Sequence, residues 1–141
     1  MTLSNIGIVY DNAGQKKKAL DYYNKAVSLQ ETLGDKAGLA TTLSNIGAVY
    51  DTVGDEKQAL EYYTKALQLT RETGDKAQEG VTLKNIGVVY ENLCEEQKAF
   101  DYYNQALPLL QATKNQKLVE KVLKSIADIK ETQNSLGVMQ K

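Results

Sequence analysis

A ten-residue segment occurs three times at a spacing of forty: Thr2-Leu-Ser-Asn-Ile-Gly-Ile-Val-Tyr-Asp11, Thr42-Leu-Ser-Asn-Ile-Gly-Ala-Val-Tyr-Asp51 and Thr82-Leu-Lys-Asn-Ile-Gly-Val-Val-Tyr-Glu91. Repetition at a few tens of residues marks a chain built from stacked supersecondary units, none of which can bury its apolar face alone. The pattern argues against a globule packed around one centre. Function is expected on a surface made by repetition, without a single active-site pocket.

Within each copy the reading is helix, turn, helix. Leu43, Ile46, Gly47 and Tyr50 follow the i, i+3, i+4, i+7 spacing of a buried helical stripe. Gly54 then suits a left-handed residue closing the first helix, and Asp55 with Gln58 resembles a capping box opening the second. Gly34-Asp35 and Gly74-Asp75 punctuate the junctions between units, and Lys114-Asn115 replaces them in the third copy, with Asn115 expected to be the left-handed residue. The expected helices are 2-13, 15-33, 36-53, 55-73, 76-93, 95-113 and 116-133. The fold class is all-α, with apolar Leu3, Ile6, Tyr10, Leu43, Ile46, Tyr50, Leu83, Ile86 and Tyr90 buried between layers. The seventh helix keeps the register of a fourth first helix, but Ser125, Ala127 and Lys130 replace Asn, Gly and Tyr. Glu120, Lys121, Lys124, Asp128 and Lys130 give it the polar face that a terminal capping element needs. The whole reads as one domain over 1-133, with repeats at about 2-35, 36-75 and 76-115, a capping helix at 116-133 and a flexible tail at 134-141.

Seventeen basic and eighteen acidic residues leave a net charge of -1. Neither nucleic acid nor an anionic membrane is the expected partner, since both favour a clustered basic excess. No apolar run approaches the ~20 residues of a membrane helix, and the first repeat begins immediately after Met1, so a cytoplasmic chain is expected. With no histidine and a single cysteine, Cys94, the commonest general base and metal ligand is missing, and no internal disulfide can form. Only scattered carboxylates remain for acid-base work, and they repeat with the fold. No enzyme, cofactor or metal site is expected.

The order Leu43-x-x-Ile-Gly-x-x-Tyr50, then Gly54, Ala59, Tyr63 and Ala66, resembles the tetratricopeptide repeat, whose usual period is about 34 residues. The 40-residue variant, with Gly-Asp-Lys-Ala at 34-37 and 74-77 and Ser-Asn-Ile-Gly at 44-47, is similar to repeats of kinesin light chains, Leu-Gly-Asn-type adaptors and bacterial arrays. The resemblance implies a right-handed superhelical solenoid of three helix-turn-helix repeats plus the capping helix. It further implies a non-catalytic scaffold that binds a protein or peptide in a concave groove lined by the first helices. The partner itself does not carry over. One subgroup clamps a C-terminal carboxylate with Lys and Arg on these helices. Thr41 and Val81 stand where that Lys would, and Asn85 where that Arg would, so the clamp is not expected.

Beside each core stripe runs a more polar one: Thr41, Asn45, Ala48 and Thr52, matched by Met1, Asn5, Ile8 and Asn12 and by Val81, Asn85, Val88 and Asn92. An amide both donates and accepts, so a row of Asn5, Asn45 and Asn85 can hold both groups of a peptide backbone whatever its side chains. The resemblance implies the same role. The competing reading is that each Asn bonds within its own repeat. Asp11, Asp51, Glu91 and Glu131 form a second row at helix C-terminal ends, where the helix dipole disfavours them; they are either a functional ladder or a solvated rim. Lys84, Lys121 and Lys124 make the C-terminal half of the groove more basic. A partner is therefore expected to lie with basic residues toward the first repeats and acidic residues toward the last.

The nine tyrosines recur at fixed helical positions and read as packing. Cys94, in the place of Gly14 and Gly54, reads as drift from Gly at a modest backbone cost, and Pro108 as a bend in the sixth helix. Leu3, Ile6 and Tyr10 have no polar element before them. That face is expected to be covered by a further repeat of a longer protein, of which this chain is then a fragment, or by weak head-to-tail self-association.

Overall fold

The computed structural model describes residues 2–139, with side chains through residue 137. Met1, placed on the polar stripe by its register, and the end of the expected tail lie outside the described residues. Seven helices follow one another: α1 (Leu3–Asn12), α2 (Lys16–Leu33), α3 (Lys36–Thr52), α4 (Glu56–Thr73), α5 (Lys76–Asn92), α6 (Glu96–Ala112) and α7 (Gln116–Met139). Their ends fall within a residue of expectation except at α7, which continues past 133. Residues 134–139 are thus helical where a tail was expected, and the side chains of 134–137 are exposed. Pro108 lies inside α6, which runs on through it to Ala112.

Turn chemistry sets these boundaries. The Asp35, Asp55 and Asp75 carboxylates accept from the backbone N–H of Gly38, Gln58 and Gln78 at 2.9, 3.2 and 3.1 Å, satisfying donors that a helix start leaves free. Each first helix closes with paired bonds across its last turn: Gly14 to Asp11 with Gln15 to Tyr10, Gly54 to Asp51 with Asp55 to Tyr50, and Cys94 to Glu91 with Glu95 to Tyr90. The closing residue must be left-handed, and Gly14, Gly54 and Cys94 have φ of 78°, 85° and 59°. At the last junction the left-handed residue is Lys114 (φ 58°), which corrects the expectation for Asn115. Asn115 is needed one step later, where its side chain accepts from the Leu118 N–H at 3.4 Å, as Asp35 does in its own turn. A Cβ at φ near 60° is strained, so Cys94→Gly is expected to stabilise the protein by about 0.5–1 kcal/mol, read as a rise in thermal midpoint.

The chain divides into two compact units, residues 1–78 and 79–141. In the first, α1 to α4 pack successively, and α1 also touches α3. Its core holds Ala19, Tyr23, Leu43, Ile46, Val49 and Ala66, with Tyr10, Leu20, Val27, Leu39, Tyr50, Tyr62 and Leu69 half-buried against it. Helices cross closely where glycine removes a side chain. A Cβ on Gly7 would lie 2.6 Å from the Tyr23 ring, and one on Gly47 2.8 Å from Tyr63. The second unit repeats the device, with Gly87 against Tyr103 at 2.6 Å and Gly80 against Leu109 and Leu110. There α6 packs on α7, and the core includes Leu83, Ile86, Val89, Tyr103 and Leu110 together with Val119, Val122, Ile126 and Ile129 of α7. Glu120, Lys121, Lys124, Asp128 and Lys130 of that helix are exposed, the polar face expected of a cap.

The tyrosines sort differently from the expected core. Tyr10, Tyr50 and Tyr90 are only half-buried, each stacked on the first tyrosine of the following doublet: Tyr10 on Tyr22, Tyr50 on Tyr62 and Tyr90 on Tyr102, with centroids 5.3–5.6 Å apart. The second tyrosine of each doublet is the buried one, because it alone sits over the glycine. Leu3 and Ile6 are likewise half-buried, whereas their equivalents Leu43, Ile46, Leu83 and Ile86 are buried.

Candidate functional site

In the first unit the polar stripes of α1 and α3 lie on neighbouring helices, joined by a hydrogen bond of 3.1 Å between the Ser4 and Thr42 hydroxyls. Asn5 is exposed on α1 and Asn45 half-exposed on α3. Asn85 occupies the same register on α5 in the second unit, also half-exposed, with Val88 one turn on. Among the described residues none of these three side chains makes a hydrogen bond, and the Asn45 Nδ2 donor is orphaned at a buried position. An unsatisfied buried donor costs about 1–3 kcal/mol, and bonding of these amides within their own repeats is not seen among the described residues.

The rest of the stripe is less free. Thr41 and Thr52 are exposed, but their hydroxyls donate to the Ala37 and Ala48 carbonyls of their own helix at 3.3 and 2.9 Å. They keep only acceptor capacity for a ligand. Ala48 is half-buried and leaves room between Asn45 and Thr52, while Asn92 is exposed and has an interaction of its own.

The acidic row has partners inside its repeats. Asp11 forms an ion pair with Lys16, Glu91 accepts a hydrogen bond from the Tyr103 hydroxyl, and Asp51 lies beside the Glu56 carboxyl, whose Oε2 is buried without a hydrogen-bond partner among the described residues. At Asp11 and Glu91 these internal bonds offset the disfavour of the helix dipole. Glu131, in α7, is exposed. The buried tyrosine hydroxyls feel the same row: burial, then the charge of Asp11, pushes Tyr23 up to about 12, and burial followed by Asp51 and Glu56 raises Tyr63.

Glu56 stands where the first repeat has Lys16. Its carboxyl is pushed up to about 7, first by burial, then by the hydrogen bond and charge of Asp51 and by the charge of Asp55. The folded protein therefore holds this proton more tightly than the unfolded chain does. The associated stability is complete below the ordinary value of 4.5 and is lost as pH rises toward about 7. Glu56→Lys recreates the Asp11–Lys16 arrangement. It is expected to raise the midpoint at pH 7 by a few degrees, on the order of 0.5–1 kcal/mol. Unfolding titrations at several pH values should show this advantage over wild type shrinking toward pH 4.5.

In the second unit a cleft of about 420 Å³ opens between α5 and α7. Lys84 and Val88 line it from α5, Tyr103 from α6, and Lys121, Val122, Lys124, Ser125 and Asp128 from α7. The sequence singles out Lys84, Lys121 and Lys124, which the structure brings to this cleft, but it does not single out Val122, Ser125 and Asp128 as their neighbours there. The signal was register: Lys121, Ser125 and Asp128 fall forty residues after Val81, Asn85 and Val88. The helix read as a cap also carries the polar stripe. Among the described residues no group of His, Cys, Asp or Glu can hold a metal, and no helix is long and apolar enough to cross a membrane.

Helix pairs closed by a left-handed residue, crossing at a glycine under a tyrosine and repeating at forty residues, define a helical-repeat protein. The chain belongs to the tetratricopeptide-repeat family, whose repeat profile matches residues 1–72 and, overlapping, 38–112. Among solved structures it is similar to the apo form of RapI, at 20% identity and a TM-score of 0.88 over 96% of this chain, which spans 50% of that one. It is also similar to the N-terminal domain of stress-induced protein-1 from C. elegans (20% identity, TM-score 0.69, 87% of this chain and 91% of that one). A third likeness is to the nearly identical repeats of a putative kinesin light chain from Podospora anserina (14% identity, TM-score 0.76, 94% and 65%). At these identities the likeness is one of fold. No curated protein matches the chain. Proteins of this family are generally non-catalytic scaffolds for protein interaction.

Proposed function

We propose that the first-helix face binds a segment of a partner protein, with Asn45 and Asn85 gripping its backbone and Asn5 extending the row. The observation that carries this reading is the absence, among the described residues, of any internal hydrogen bond to the three amides, including the orphaned Nδ2 of Asn45. An amide without an internal partner can pair with an N–H and a C=O of an incoming chain, and at Asn45 this takes a turn of the side chain that brings its buried Nδ2 to the surface. Thr41, Ala48, Thr52, Val88 and Asn92 form the floor and edges, and Lys84 and Lys124 bias one end toward acidic side chains. Asp51 and Glu91, engaged within their repeats, shape the rim. A reducing compartment such as the cytoplasm suits a chain with one exposed thiol.

The test is a capture experiment from the source cell with wild type and Asn45→Ala/Asn85→Ala in parallel, followed by affinity measurement on the captured protein. Two amide-to-backbone bonds contribute about 1–3 kcal/mol together, so a loss of roughly fivefold to a hundredfold is expected while circular dichroism is unchanged. Equal affinity would remove the Asn row from the mechanism.

One observation favours a second reading, in which the outer face of α1 takes a helix from another molecule. Val9 is 54% exposed, whereas its equivalents Val49 and Val89 are 1% and 0% exposed. Such head-to-tail contacts do not close and are weak when confined to one repeat face. Light scattering should then show a mass rising above 15.6 kDa with concentration; a fixed mass contradicts it.

A further inference from the structure

We infer that the cleft between α5 and α7 is a docking site for an acidic segment of the partner protein, holding its carboxylate side chains on Lys121 and Lys124. The inference rests on the groove reading and assigns chemistry to one end of it. Three lysines, Lys84, Lys121 and Lys124, line one cleft, and Asp128 is the single carboxylate among its described lining residues. Lys121 and Lys124 are exposed and have no ion-pair or hydrogen-bond partner among the described residues. That sets them apart from Lys16, Lys36 and Lys98, which pair with Asp11, Glu72 and Glu95. Like charges held in excess over their counter-charges raise the local potential and attract an anion.

The surroundings argue for a peptide. Val88 and Val122 line the same cleft, offering apolar surface to neighbouring side chains. Asn85, which makes no internal hydrogen bond among the described residues, lies next to Lys84 in sequence and one turn before Val88 on the same face of α5. A backbone held at Asn85 therefore leads its side chains into the cleft, where carboxylates reach the lysines. The feature is specific to this unit, because Thr41 and Val81 stand at the Lys121 register, and Ser4 and Ser44 at that of Lys84 and Lys124. Nucleic acid fits less well: a chain of net charge -1 with a carboxylate inside the cleft lacks the extended basic track that a phosphate backbone requires.

The probe is a fluorescein-labelled peptide of alternating Glu and Ala, compared by anisotropy with its Lys-for-Glu counterpart and with a labelled oligothymidylate, all on the full chain. The acidic peptide should bind saturably at low salt and lose affinity toward ~0.3 M salt. Lys121→Glu/Lys124→Glu should weaken it by about tenfold or more, whereas Lys17→Glu/Lys57→Glu, an equal change of net charge at exposed sites on α2 and α4, should not. Equal binding of the basic peptide, equal or tighter binding of the oligonucleotide, or equal loss in the two charge-reversal variants would overturn the inference. If the partner from the capture experiment loses affinity with Asn45→Ala/Asn85→Ala but not with Lys121→Glu/Lys124→Glu, the groove reading stands and the acidic-segment assignment fails. If both pairs leave that affinity unchanged, both readings fall.

Discussion

Replacing Tyr63 by alanine is expected to destabilise the protein by about 3–5 kcal/mol, the range for truncating a large buried aromatic, and to lower the thermal midpoint by on the order of 10 °C. The ring is 2% exposed and packs directly over Gly47, so its removal opens a cavity bounded by helix backbone that cannot collapse into the space. Tyr63→Phe separates the ring from the hydroxyl. It keeps the packing and loses only interactions of the oxygen near Asp51, so it should cost about 0.5–1.5 kcal/mol. Chemical denaturation of the two variants should therefore give a large and a small loss. Two equal losses would mean that the hydroxyl, and not the ring, holds α3 and α4 together.

Filling the space from the other side should be costly for the complementary reason. Glycine inside a helix ordinarily weakens it, so adding a side chain at an open position gives back some of about 0.5–1 kcal/mol. Gly137, on α7, has open space where a Cβ would stand, with no neighbouring atom within 4 Å, and Gly137→Val is expected to be neutral or slightly stabilising. Gly47→Val is expected to destabilise by about 3 kcal/mol, because a Cβ there already falls 2.8 Å from Tyr63 Cδ1 and valine branches at that atom. The clash is with the inner edge of a buried ring, which has no free rotamer to retreat to. Opposite outcomes for one substitution at two helical glycines would show that helix crossing, not local propensity, fixes Gly47.

Most of this architecture is legible in the sequence because the period of forty is long enough to contain two helices and their turns. The Gly-Asp punctuation locates the helix ends, since left-handed and capping residues act over one or two positions. Sequence and structure part where one residue type can serve two roles. Asn115 suits a left-handed turn and an N-cap alike, and the cap takes it, leaving Lys114 strained. The tyrosines all recur at helical spacing, so periodicity does not separate Tyr50, stacked at the edge, from Tyr63, buried over glycine. The acidic row stays open between a ladder and a solvated rim in the sequence because its neighbours, Lys16, Glu56 and Tyr103, lie on the following helix and are brought beside it only when the hairpin closes. For the Asn row, sequence supplies the position, while the structure adds the missing hydrogen bonds that set the amides apart from local bonding. The cleft between α5 and α7 is only half legible, because the polar residues that mark a capping helix also conceal the register that Lys121, Ser125 and Asp128 share with α5.

If the Asn row holds a peptide backbone, its side-chain amides must respond to the ligand directly. The most direct test is the side-chain amide region of a nitrogen-proton correlation spectrum, recorded while a peptide selected from a random library on the immobilised protein is titrated in. The Asn5, Asn45 and Asn85 side-chain signals are expected to move together and saturate at one affinity, with backbone shifts concentrated on α1, α3, α5 and the N-terminal half of α7. Saturable binding with those three amides unmoved, and shifts confined to α2, α4 and α6, would mean that the row does not hold the backbone.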